Sequence, residues 1–118
     1  MKNIIARLSH PLRGLLYAIT RDRSFQSQFI GGILFLFLTW LLFSPLAPWE
    51  WLFVGLCWTL ILITELQNSA LEEALNRIHP ELHENIGHSK DMAAGAVLLA
   101  AAYALATIAA LTIVRLFT

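Results

Sequence analysis

Between Arg23 and Glu50 no residue is charged, and Phe29 to Leu46 (FIGGILFLFLTWLLFSPL) is almost unbroken apolar sequence. At roughly 1.5 Å per residue this run crosses most of a hydrocarbon core about 30 Å thick, so it predicts a first membrane span. Pro45 and Pro48, flanked by Trp49 and Trp51, predict a tight break with aromatic anchors at a membrane–water boundary. The next uncharged run, Trp51 to Thr64, is short of the roughly 20 residues a span needs, and ELQNSALEEALNRI continues it without Gly or Pro as far as Pro80. A second helix is therefore expected to leave the membrane carrying carboxylates. Met92 to Val114 is the third uncharged run, opening AAGAVLLAAAYALA, whose small residues permit close approach between helices. Upstream, Ile4, Ile5, Leu8, Leu12, Leu15, Leu16 and Ile19 recur at helical spacing with Lys2, Arg7, Arg13, Arg21 and Arg23 elsewhere. That is the pattern of a helix lying in the interface, kinked or divided at Pro11, and it does not read as a cleaved signal.

The expected architecture is an all-α membrane protein of one domain over 1–118. An interfacial amphipathic helix covers 1–24, and spans cover about 28–46, about 50–78 and about 90–116. Lys2, Arg7, Arg13, Arg21, Arg23, Arg77 and Lys90 fall on one side of such a bundle and only Arg115 on the other, which places the N-terminus and the Glu65 to Asp91 segment in the cytoplasm.

Composition agrees. Of 118 residues 58% are apolar and 14% charged, and mean hydropathy is +0.66. Eight Lys/Arg balance eight Asp/Glu, so no overall field favours nucleic acid. The one cysteine, Cys57, cannot form an internal disulfide. A bundle this small shields little polar interior, so several copies are expected to assemble.

The candidate chemistry lies where the second helix leaves the bilayer. Glu65, Asn68 and Glu72 stand at i, i+3 and i+7, one stripe of a helix, with Asn76 a turn further on. An ionisable group at Glu65's depth is costly unless it faces a bundle interior or a wet cavity, which makes it a functional candidate. Glu73 and Arg77 read instead as a solvated i,i+4 ion pair. Asp22, between Arg21 and Arg23, serves as charge balance or as a carboxylate reaching Glu72 across a helix pair. HPELHENIGHSKDM reads as a polar loop; the spacing of His79, His83 and His88 does not define a tetrahedral metal site. Lys90 and Asp91 either anchor the third span or place a cation near a phosphate at a helix start. A cytoplasm-facing cluster of carboxylates, an amide and a lysine suits phosphoryl transfer and proton-coupled transport equally.

The stretch ELQNSALE (Glu65 to Glu72), followed by RIHPELH and GHSKDMAAGAVLL, resembles the signature of the bacterial integral-membrane diacylglycerol kinase family, which includes undecaprenol kinases. Weaker similarity extends through GLLYAITRDRSF. The resemblance implies a homotrimeric bundle in the bacterial inner membrane, with active sites shared between subunits and facing the cytoplasm, using MgATP to phosphorylate a lipid hydroxyl. Diacylglycerol is the expected substrate, giving phosphatidic acid; undecaprenol is the alternative, and a small proton-coupled transporter is a more distant one. Carried over by position, Glu65 matches the general base and Asn68 an amide that arranges the site. Asp22 and Glu72 match the carboxylates that hold Mg²⁺. Lys90 and Asp91 match the pair that engages ATP, and Glu81, Leu82 and His83 fall on the loop that contacts it. Asp22 stands where the family usually has Glu, Asn76 where it commonly has Asp, and Gln67 where it has an apolar residue.

Overall fold

The computed structural model describes residues 1–79, 81 and 83–118 as four helices: α1 (Lys2–Arg21), α2 (Arg23–Phe43), α3 (Pro48–Ile78) and α4 (Glu84–Phe117). Among the described residues there is no strand. The last three helices are each long and apolar enough to cross a membrane. The chain is an all-α membrane protein with an amphipathic N-terminal helix and three spans.

Pro11 neither ends nor divides α1, which runs unbroken through it. A proline removes the hydrogen bond to the carbonyl four residues back, but this position is exposed, so the freed carbonyl of Arg7 need not be buried unpaired. The break comes at Asp22, a single extended residue (φ −97°, ψ 108°) between α1 and α2. Its Oδ1 accepts from the backbone N–H groups of Ser24 at 3.0 Å and Phe25 at 3.4 Å, capping α2. Gln26 Nε2 donates back to the Ile19 carbonyl at 2.8 Å, so the corner is tied from both sides.

At the opposite end α2 stops at Phe43, and α3 restarts with Pro48 at its first position, where a missing N–H costs nothing. Glu50 Oε1 accepts from the Ala47 N–H at 2.9 Å. Arg115, near the end of α4, closes this turn: Nη1 pairs with Glu50 Oε2 at 2.8 Å, and Nη2 donates to the carbonyls of Phe43 at 3.1 Å and Pro45 at 3.2 Å. The lone basic residue of that end is therefore a clasp joining three helices.

The longest packing surface lies between α3 and α4, with α2 against α3 and α1 touching α2. The least exposed positions of α4 include Ala93, Val97, Ala100, Ala104, Thr107 and Leu111, steps of four and three in alternation, with Arg115 a further four on. This is the spacing of a helix–helix seam, and the α3 side of the bundle carries the fully buried Val54 and Cys57. The Cys57 thiol donates to Thr107 Oγ1 at 3.2 Å. Between α2 and α3 the indole of Trp58 lies on Gly32, where any Cβ would collide with it, and stacks obliquely on Phe29 with centroids 5.1 Å apart. Most large apolar side chains, among them Leu98, Leu99 and Leu105, point outward, as lipid or further subunits require.

Candidate active site

The carboxylates converge where α3 passes the α1–α2 corner. Glu65 is only 6% exposed, and no donor among the described residues meets its carboxylate. Asp22 and Glu72 lie near enough for their charges to act on it. An isolated carboxylate near lipid depth, beside two more, stabilises nothing by itself; such groups persist where they serve a function.

Just outside Glu65 opens a cleft of about 740 Å³ between the α1–α2 corner and the outer turns of α3, lined by Asp22, Ser69, Glu72, Asn76 and the guanidinium-bearing Arg21, Arg23 and Arg77, with Tyr17, Ser24 and Glu73. Of the i, i+3, i+7 stripe Glu72 lines this cleft, with Asn76 a turn further on; Glu65 and Asn68 lie deeper on α3, outside its lining, and Asp22 joins from the corner between α1 and α2. Asn68 Oδ1 is buried without a hydrogen-bond partner, an orphan acceptor one turn from Glu65. The Lys90 Nζ donates to Asn76 Oδ1 at 2.5 Å, bringing an ammonium from α4 to the edge of the cleft.

Several expected placements change. Glu73 and Arg77 do not pair: Glu73 Oε1 accepts from the Tyr17 hydroxyl at 3.3 Å, pinning α1 to α3, and Arg77 turns to the cleft. The polar segment is a loop only briefly, because α4 already begins at Glu84. Lys90 and Asp91 therefore lie inside a helix rather than at its start, and the anion-binding geometry of a helix N-terminus does not apply to them. The reason is His83, whose Nδ1 accepts from the Asn85 N–H at 3.1 Å and caps α4, while the Gly87 N–H closes a helical bond to the His83 carbonyl at 2.9 Å. Asp91 is exposed, and neither it nor Glu81 nor His83 lines the cleft; Leu82 lies outside the described residues. The His79 and His83 rings meet edge-on at 6.0 Å. Arg21 and Arg23, counted in the sequence only among the basic residues of the interfacial helix, line the cleft on either side of Asp22.

Among the described residues no group of three or more His, Cys, Asp or Glu is arranged to hold a metal ion. Three carboxylates line the cleft, of which Glu73 accepts from Tyr17; Glu72 has no polar partner among the described residues, and the cap occupies only one oxygen of Asp22. That donor set fits Mg²⁺, which is typically held by one or two carboxylates with phosphate oxygens and water completing its shell. It would not fit a structural zinc site.

The sequence profile of prokaryotic diacylglycerol kinases matches residues 9–112. Curated relatives include the diacylglycerol kinases of Escherichia coli strain K12, of Escherichia coli O157:H7 and of Shigella flexneri. Each is 46% identical over 48 residues, which is 41% of this chain and 39% of the relative. The matched part therefore spans about two fifths of the length of those relatives.

Proposed function

The chain belongs to the prokaryotic diacylglycerol kinase family, and from that membership and the site geometry we propose that it transfers the γ-phosphoryl group of ATP to the hydroxyl of diacylglycerol, giving phosphatidic acid and ADP. One observation carries the reading: Glu65 is a nearly buried carboxylate with no donor among the described residues, on the same helix as a cleft lined by Asp22, Glu72 and Glu73, with the Lys90 ammonium at its edge on Asn76.

In this mechanism the diacylglycerol stays in the bilayer and presents its hydroxyl beside Glu65. The Glu65 carboxylate accepts the hydroxyl proton while the oxygen forms a bond to the γ-phosphorus. The bond from that phosphorus to the β,γ-bridging oxygen breaks, and ADP leaves. Asn68 orients the hydroxyl or the phosphoryl group through its unpaired amide oxygen and its NH₂. Asp22 and Glu72 would hold Mg²⁺, which supplies charge neutralisation on the phosphates when bound. Lys90 and the cleft arginines draw the polyphosphate in, and Asp91, Glu81 and His83 take part only in contacts outside the cleft. In this reading the chain assembles as a homotrimer in the bacterial inner membrane, and the excess of basic residues at the cleft end of the bundle places the cleft in the cytoplasm.

The experiment is label transfer from γ-labelled ATP by purified protein in detergent micelles containing Mg²⁺ and one lipid at a time. Label is expected in phosphatidic acid when diacylglycerol is supplied. Label confined to undecaprenyl phosphate would reassign the substrate within the family. No labelled lipid, with solute flux driven by a pH gradient instead, would overturn the kinase reading.

A further inference from the structure

We propose that Arg21 and Arg23 form a binding site for a lipid phosphomonoester, the headgroup that the transfer itself creates. This rests on the reading of the chain as an ATP-dependent lipid kinase.

The two arginines bracket Asp22 at the α1–α2 corner, and both line the cleft. In sequence the trio looks self-neutralising. In the fold the Asp22 carboxylate turns instead to the backbone N–H groups of Ser24 and Phe25, and among the described residues neither guanidinium has an ion pair or a hydrogen bond. Arg115, by contrast, pairs with Glu50, and Arg13 meets the ring of His10. Groups as exposed as Arg21 and Arg23 lose little by standing free in water, so the missing partners alone do not make a site. Their depth does.

Helices α2 and α3 meet at the far turn, between Phe43 and Pro48. At a rise of about 1.5 Å per residue, Arg23 and Asn68 each stand about 30 Å along their helices from that turn, and Arg77 stands about 14 Å further out. The corner guanidiniums are therefore level with the Glu65 end of the stripe, where the lipid hydroxyl is phosphorylated. At that depth the lasting anion is the phosphate left on the lipid. A phosphomonoester carries about −1.5 to −2 at neutral pH, whereas the phosphodiester of an ordinary phospholipid carries about −1. Two guanidiniums match the first charge, and each offers a planar fork of N–H donors to phosphate oxygens. Glu72 and Glu73 line the cleft from α3 and repel a further anion on their own side, which leaves the corner as the favourable place for it. The product is thus held after ADP leaves, and phosphatidic acid competes with MgATP for the cleft.

The test uses the full-length protein in mixed micelles, with phosphorus NMR reading the binding of phosphatidic acid, of phosphatidylglycerol and of soluble glycerol phosphate. Phosphatidic acid should bind about tenfold tighter than either of the others, and less tightly as salt is raised. Arg21→Gln and Arg23→Gln should each weaken that binding about three- to tenfold, the loss of one charge-assisted contact at an exposed site. Arg23→Lys, which keeps the charge and loses the fork, should fall between. Arg7→Gln makes the same charge change on α1 outside the cleft and should shift binding less than about twofold. Inhibition of labelled transfer by added phosphatidic acid should weaken in parallel with binding. Equal losses in Arg7→Gln and Arg23→Gln would overturn the proposal, since general surface charge then accounts for them. Glycerol phosphate binding as tightly as phosphatidic acid would overturn it as a lipid site. So would corner variants that raise the KM for MgATP yet bind phosphatidic acid as the unaltered chain does, which assigns the guanidiniums to the nucleotide alone. Absence of ATP-dependent lipid phosphorylation in the unaltered chain is the separate result that defeats the kinase reading itself.

Discussion

Asp22 carries two loads that a pair of substitutions can separate. Its Oδ1 caps α2 through the N–H groups of Ser24 and Phe25, while its charge faces the cleft shared with Glu72. Asn caps a helix about as well as Asp, so Asp22→Asn should keep the cap, lose the charge and change unfolding free energy by only a few tenths of a kcal/mol. Glu keeps the charge, but its extra methylene takes the oxygen out of reach of the first-turn N–H groups, so Asp22→Glu should lose about 1 kcal/mol. Metal dependence should run the other way. Removing one of two Mg²⁺-holding carboxylates should raise the Mg²⁺ needed for half-maximal lipid phosphorylation about tenfold or more in Asp22→Asn, given that even outer-shell losses cost that much. In Asp22→Glu the Mg²⁺ requirement should stay near that of the unaltered chain. Unfolding in mixed micelles followed by circular dichroism reads the first axis, and Mg²⁺ titration of activity reads the second. If Asp22→Asn destabilises the protein as much as Asp22→Ala, the cap is not what holds the corner. If it leaves the Mg²⁺ requirement unmoved, Asp22 does not hold the metal.

Gly32→Ala should push a methyl into the Trp58 indole and cost about 1–3 kcal/mol of overpacking, measured by unfolding in micelles; unchanged stability would mean that α2 and α3 slide apart freely there. His83→Ala should destabilise the start of α4 by about 1 kcal/mol and speed amide exchange over residues 84–88, with His83→Asn largely restoring both, since Asn is a good cap. Arg115→Ala should lower the thermal midpoint while leaving low-temperature activity near normal, because its partners Glu50, Phe43 and Pro45 lie at the end of the bundle opposite the cleft. A normal midpoint in that variant would show the clasp to be dispensable.

The spans were legible because uncharged runs and helix breakers state lipid depth directly, and the stripe of Glu65, Asn68 and Glu72 was legible because i, i+3 and i+7 fall on one helix face whatever surrounds it. What escaped was set by single contacts. Gly87 and the histidines made the segment before the third span look like a loop, yet one ring nitrogen of His83 suffices to start α4 at Glu84. Asp22 reads as charge balance or as a carboxylate reaching Glu72, and only the break between α1 and α2 makes it a cap as well. Glu73 and Arg77 have the spacing of an ion pair, but Tyr17, distant in sequence, takes the carboxylate. The Glu50–Arg115 clasp joins residues 65 apart, and no local pattern encodes it.

The central claim is that the Glu65 carboxylate takes the proton of a lipid alcohol. It is tested most directly by single-turnover transfer of label from γ-labelled ATP to diacylglycerol in Glu65→Gln, which keeps the side chain's size and removes its basicity. Labelled phosphatidic acid should fall by a factor of about a hundred or more, in protein that still binds ATP and assembles as the unaltered chain does. Transfer at the unaltered rate would contradict it.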